Sequence, residues 1–409
     1  MKKILLTMSI VLVLTLALLV PATVSAEEEK PLVVIVAHGL FGEDLQLNYM
    51  MSNITEVEWK VITEEITFDE IKDADMLIYV QVDTGVEITD EELNAIKQWF
   101  DQGGKTLWVT GDSDYTGGDY MRIPNANKIL EAVGSVLRND HTEAVDREVN
   151  FGKDYRPGAL IKPDPELFFL AGGVLHPVLF HGPAPIALYV NGEWKPLYGT
   201  GEKPVENVYR IAITSPKGAI AEFVEPLPHA YEVGEEGSFT LMAAEFMDKD
   251  DIVILSTEAP FDHYQGMWVS EYKGIKGSGP EFIRNIVLWG VGLYGSRIPE
   301  VIKLKKEMAS LSEEINSLKS ELEKLKSDKE SLEAELENTK KTLSSQIDSL
   351  KSQLTTCQEE KNALQSDKET LMKEVESLRS ALNTYMLGGA VIGLIIGFAI
   401  GFFLKKKPS

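Results

Sequence analysis

The residues best placed for chemistry are His38, Asp83, Asp112, Ser113, Asp114, Asp262 and His263. Each follows, within a few positions, a short apolar run that reads as a buried strand. In open parallel sheets, ligands sit beyond the carboxyl ends of the strands. Carboxylates and imidazoles gathered there suit a divalent metal or a polar ligand held by hydrogen bonds. A structural reading competes: an Asp just past a strand often caps the turn that follows. No His-Glu-x-x-His spacing is present. Capping is favoured over ligand or metal binding, and catalysis comes last; which metal would bind stays open. Ser113 is poorly set up as a nucleophile, because Gly111-Asp112-Ser113-Asp114 lacks the second glycine of a hydrolase elbow. Its flanking aspartates also oppose a developing negative charge. His176 and His181 are five apart and read as loop packing.

Strands expected to carry these residues run over Leu32–Ala37, Trp59–Ile62, Met76–Val80, Thr106–Thr110 and Ile252–Leu255. Their near-continuous apolar character predicts strands buried on both faces. Between them the pattern predicts helices: a short one at Leu45–Met51, a turn at Asp69–Ala74, one capped by Thr89 and ending at Phe100, one over Asn127–Val136, and one over Glu281–Tyr294 near Pro280. Such alternation implies an α/β fold with a parallel sheet. From about Phe151, prolines punctuate a loop-rich stretch. Strands are then expected at Ile186–Val190, Tyr209–Thr214, Ala219–Val224 and Phe239–Phe246. Asn191-Gly192 is a hairpin signal, so antiparallel additions are expected in the later half.

The C-terminal third reads differently. Leu304, Met308, Leu311, Ile315, Leu318, Leu322 and Leu325 alternate four and three apart, the seam of a coiled coil. The pattern continues to Leu382, with an 11-residue stutter between Thr339 and Leu350. Residues 299–385 are thus expected to form a stalk roughly 120 Å long at 1.5 Å per residue. Lys329, Lys361 and Lys368 fall at a-type seam positions, which disfavours higher oligomers and points to a parallel homodimer. Cys357, the only cysteine, falls at a d-type position; a disulfide to a second copy and a buried free thiol are both open. Residues 386–404 supply about 19 apolar positions, close to a membrane span. Within them Gly389, Gly393, Gly397 and Gly401 form one stripe, a face for close helix packing. Lys405, Lys406 and Lys407 follow, and lysine beside a span favours the cytoplasmic side. Residues 1–26 read as a signal peptide ending in Val24-Ser25-Ala26. The rival reading keeps that segment as a second span. Either way the head, residues 27–298, is expected outside the cytoplasm.

Composition adds exclusions. Lys plus Arg total 40 against 64 Asp plus Glu, a formal charge of −24. Rod and tail roughly balance, so the excess is in the head. That opposes binding to nucleic acid or to an anionic membrane surface. With no cysteine in the head, thiolate chemistry is excluded and the core must be an ordinary hydrophobic one. Asn53-Ile54-Thr55 is the one glycosylation acceptor pattern in the chain.

Ala74–Val80, Ile88–Glu92 and Gly103–Asp112 together resemble the class I glutamine amidotransferase-like fold, a parallel flavodoxin-like sheet. The resemblance is nearest the non-catalytic branch of gliding-motility and intraflagellar-transport proteins, the GIFT-type domains. It covers roughly residues 31–136, and more loosely 239–295. It implies a head that has lost the cysteine of that fold, whose place falls in Thr110-Gly111-Asp112-Ser113-Asp114-Tyr115. The arrangement of leader, head, coiled coil and anchor also resembles archaeal envelope proteins. The expectation is a non-enzymatic, membrane-anchored stalk protein of the cell envelope, of surface-layer type, needing no cofactor. The alternative is the ligand-binding head of a transporter or receptor complex; a membrane hydrolase comes third.

Overall fold

Why the sheet is buried on both faces is visible in β1 (Leu32–His38), where alternate residues enter different cores. In the computed structural model, which describes residues 29–112, 121–197, 205–223, 227–262 and 265–404, Val33, Ile35 and Ala37 face one apolar cluster and Val34 and Val36 the other. The expected leader, Ser113, Asp114, His263 and Lys405–Lys407 lie outside the described residues. The chain divides into two compact units, Met1–Met308 and Ala309–Ser409.

In the first unit, β2 (Glu58–Ile62), β3 (Met76–Gln81), β4 (Thr106–Thr110) and β15 (Ile252–Ser256) join β1 in a parallel array. Four more strands, β7 (Gly158–Ile161), β8 (Val178–Leu179), β11 (Val208–Ile213) and β14 (Thr240–Phe246), add to it by antiparallel pairing. The nine run in the order β2-β1-β3-β4-β15-β14-β11-β7-β8. The fold is therefore a mixed sheet with parallel strands and antiparallel additions. Helices α1 (Leu45–Asn53) and α5 (Gly279–Gly290) place Leu47, Met50, Phe282 and Ile286 in one core. On the opposite face α2 (Phe68–Ile71), α3 (Asp90–Phe100) and α4 (Arg122–Ala132) bury Ile71, Ile96, Trp99, Ile129 and Leu130. Each such side chain contributes about 1.5–3 kcal/mol on burial.

Smaller sheets complete the unit. One joins β5 (Leu137–Asn139) to the hairpin of β9 (Ile186–Val190) and β10 (Glu193–Pro196). The hairpin turns at Asn191 and Gly192, with φ of 55° and 83°, as the paired left-handed turn requires. Another joins β6 (Thr142–Asp146), β12 (Gly218–Phe223) and β13 (Glu236–Gly237). Helix boundaries differ from the sequence reading, most of all in α4, which ends at Ala132 rather than Val136, and in α5. α4 begins at Arg122 rather than Asn127, because Pro124 sits in the first turn, where its missing N–H costs nothing. α5 starts at Gly279, with Pro280 in its first turn, and stops at Gly290 rather than Tyr294. Gly292, at φ 79°, takes the chain out of the helical conformation just beyond.

The last helix, α6, runs Glu300–Leu404 without a break. Its opening turns belong to the first unit: Ile302 is buried, Lys305 Nζ lies 2.8 Å from Glu166 Oε1, and Lys306 Nζ donates to the Met247 carbonyl. In the second unit every side chain described is exposed on the single chain. One stretch of the helix is long and apolar enough to cross a membrane.

Candidate functional site

Topology fixes where a site should lie. β1 pairs with β2 on one side and β3 on the other, so the winding reverses between β1 and β3, and crevices form at the carboxyl ends of strands at such a point. Gly39 closes β1 with φ +81°, and a Cβ there would lie 2.3 Å from the Asp83 Cβ. The two strand ends are thereby drawn together, and the Asp83 N–H donates to the His38 carbonyl at 3.0 Å.

His38 is the last residue of β1 and is buried. Its Nε2 lies 3.1 Å from Glu92 Oε1 and its Nδ1 3.2 Å from Gln81 Nε2. The ionised Glu92 carboxylate can only accept, so the facing Nε2 carries a proton and donates it to Glu92. Glu92 does double duty. Its Oε2 accepts from the Thr89 N–H at 2.9 Å, while Thr89 Oγ1 accepts from the Glu92 N–H at 3.2 Å, the reciprocal box that starts α3. Its Oε1 also accepts from the Ile66 N–H at 3.1 Å. Burial pushes this carboxyl up, but the bonds from His38, Thr89 and Ile66 outweigh it and hold it down at about 2.

Gln81 and Arg122 connect the rest. Gln81 Oε1 accepts from Asn125 Nδ2 at 2.7 Å and from the Tyr79 hydroxyl. Its Nε2 also donates to the carbonyls of Asp83 at 2.5 Å and Val86 at 3.0 Å. The Gln81 carbonyl accepts from Arg122 Nε at 3.0 Å. Arg122 Nη1 then reaches Asp112 Oδ2 at 2.9 Å, and Nη2 reaches Asp262 Oδ2 at 3.1 Å. Arg122 and Asp112 are buried, and Asp262 is held at φ 62°, a conformation uncommon outside glycine. Glu258, two residues past β15, is fully buried and accepts from the His181 N–H at 2.5 Å and the Ala259 N–H at 2.9 Å. Burial first, and the charge of Asp112 second, raise its carboxyl well above the usual range.

Of the residues named from sequence, His38, Asp83, Asp112 and Asp262 do converge on one edge. They converge as links in a hydrogen-bonded chain. The Asp83 carboxylate itself caps a turn, accepting from the Gly85 N–H at 2.8 Å, as the structural reading expected. Among the described residues, no group of three His, Cys, Asp or Glu is placed to hold a metal ion. His181 packs its ring against Tyr155 at 5.7 Å, in keeping with loop packing. Sequence reasoning missed the connectors Gln81, Glu92, Arg122, Asn125 and Glu258. Glu258 was within reach of the same strand-end rule, and Gln81 is a polar residue closing an apolar run. Arg122 carried no local signal.

No family model and no curated protein matches this chain. Among solved structures it is similar to the mmIFT52 N-terminal domain, with 13% identity and a TM-score of 0.39, covering 63% of this chain and 96% of that one. It is also similar to a putative GMP synthase protein from Thermoplasma acidophilum, with 10% identity and a TM-score of 0.31, covering 69% and 99%. An amidotransferase-type protein is thus among the structural neighbours, weakly, and neither likeness bears on function.

Proposed function

We propose that this chain is a membrane-anchored display protein: a non-catalytic α/β head carried outside the cytoplasm on a paired helical rod, serving a structural or protein-interaction role in the cell envelope, of surface-layer type. The observation that carries this reading is the exposed seam of α6. Leu318, Leu325 and Leu332 are 56%, 58% and 64% exposed on the single chain, and a leucine stripe of this length in water calls for a second helix. A parallel copy brings Lys329, Cys357, Lys361 and Lys368 opposite their equivalents, and the stripe of Gly389, Gly393, Gly397 and Gly401 extends the pairing into the bilayer. The head supports the non-catalytic part, since His38, Asp112 and Asp262 are engaged with Glu92, Gln81 and Arg122. Such a network stiffens the sheet edge.

Electron tomography of native envelopes, with abundance by mass spectrometry, tests the role. An abundant, ordered array is expected; a rare and scattered protein overturns it. A second reading, the ligand-binding head of a transporter or receptor complex, is favoured by an open groove beside His38 lined by Gly39, Thr63, Glu64, Glu65 and Glu70. A ligand-dependent rise in melting temperature would select that reading.

A further inference from the structure

The acceptor triplet Asn53-Ile54-Thr55 stands at the end of α1, where the helix gives way to a turn. Asn53 and Thr55 are both exposed, and between them Ile54 is buried and pins the segment to the core. The Asn53 amide makes one local bond, Nδ2 donating to the Tyr49 carbonyl at 2.7 Å, on the solvent side. Leu45, Tyr49 and Asn53 are spaced by four, so they lie along one stripe of the helix. That stripe is unusual for a head so acidic: Leu45 is 70% and Tyr49 62% exposed, and Phe41 just ahead is fully exposed. Leu45 and Tyr49 are neighbours on that stripe, an exposed apolar strip of the kind that gains from a cover, and the acceptor asparagine sits in line with it.

We propose that Asn53 carries an N-linked glycan whose first sugars lie back along Tyr49 and Leu45. The inference rests on the head facing away from the cytoplasm, as proposed above. The co-reactant is a lipid-diphosphate-linked oligosaccharide, delivered by a membrane transferase. Asn53 Nδ2 attacks the anomeric carbon, so a carbon–nitrogen bond forms. The bond from that carbon to the diphosphate oxygen breaks, and the lipid diphosphate leaves with the electron pair. One amide proton passes to a base of the transferase. The Thr55 hydroxyl is the part of the triplet that the transferase reads. A glycan here turns an adhesive strip into a hydrated one, which suits a head displayed on an envelope.

The test uses full-length protein from its native membrane, with glycopeptide mass spectrometry and protease accessibility of the head in sealed vesicles. The peptide spanning Asn53 should carry a sugar mass increment that is lost in Asn53→Gln and in Thr55→Ala and kept in Thr55→Ser. Binding of a hydrophobic dye should rise in Asn53→Gln while the melting temperature stays unchanged. An unmodified Asn53 on a head that proteases reach from the outer face overturns the glycan and leaves the orientation standing. An unmodified Asn53 on a head reached only from the cytoplasmic face overturns both. A modified Asn53 with dye binding unaltered by Asn53→Gln overturns the covering of the strip.

Discussion

Head and rod satisfy their apolar side chains in opposite ways. In the head, Ile35, Trp108 and Trp289 are fully buried within one chain, whereas in the rod Leu318, Leu332 and Leu354 stay more than half exposed. The head's polar groups follow its apolar ones, with Gln81, Glu92 and Arg122 satisfied by neighbours in the same chain. The rod's backbone hydrogen bonds are met by its own helix, but its apolar seam is not covered. A region whose needs are met internally folds alone. A region with a regular unmet need specifies a partner of the same regularity, and a second copy of itself is the simplest such partner.

The sharpest way to break the head's self-sufficiency is Arg122→Ala. It leaves Asp112 buried without its cation and should cost about 3–5 kcal/mol, read as a large fall in the head's thermal midpoint with the rod's helical signal retained. A loss below about 1 kcal/mol would mean that the network is ornamental. For the rod the contrast turns on Leu336→Ala, at a position of the leucine seam that is 56% exposed on the single chain. On a solitary helix an exposed leucine-to-alanine change is neutral or slightly favourable, because alanine is the better helix former. In a paired seam it should cost about 2 kcal/mol or more, visible as a concentration-dependent drop in the rod's melting temperature.

Acid titration gives a smaller and more local effect. Burial raises Asp140 to about 6, and burial with the charges of Glu222 and Asp154 raises Glu143 to about 7. Both bind protons more readily in the fold, so stability is lost as pH rises from the ordinary carboxylate range through those values and regained as it falls. Burial and the charge of Arg156 lower His181 to about 4, so its contribution is present above the usual histidine value and lost as pH falls from there towards 4. Glu92, held at about 2, contributes stability above the ordinary glutamate range that is lost as pH falls through its own value. With Asp140, Glu143 and the fully buried Glu258 all raised against one lowered histidine, the head's melting temperature should rise as pH falls from about 7 to about 5. It should then fall below about pH 4, where the raised carboxyls have nothing more to return. Glu92→Gln should flatten that acid limb, and an unchanged limb would remove Glu92 from its cause.

Much of the head's framework was legible because its determinants are local. Thr89 with Glu92 announces a helix start, Asn191-Gly192 a hairpin, and the unbroken runs of β1 and β3 a sheet covered on both faces. The start of α4 was placed too late, at Asn127 rather than Arg122, and Pro124 lies in the first turn, which tolerates it. The strand-end residues were found by their chemical type, but their partners were not. Gln81 joins His38 to Arg122 across 43 and 41 positions of sequence, and no period or motif encodes such a link. The seam was legible because heptads are local, whereas the cover we propose for it lies in a second copy.

That missing cover is the account's central claim, and the single cysteine offers a direct probe without any substitution. A spin label on Cys357 of the full-length protein in detergent or bilayer, read by pulsed dipolar spectroscopy, reports the separation of the two copies. Parallel pairing in register predicts one short distance, set by helix axes about 10 Å apart. An absent dipolar signal, or a long distance from an antiparallel or staggered pair, would contradict the paired, parallel rod.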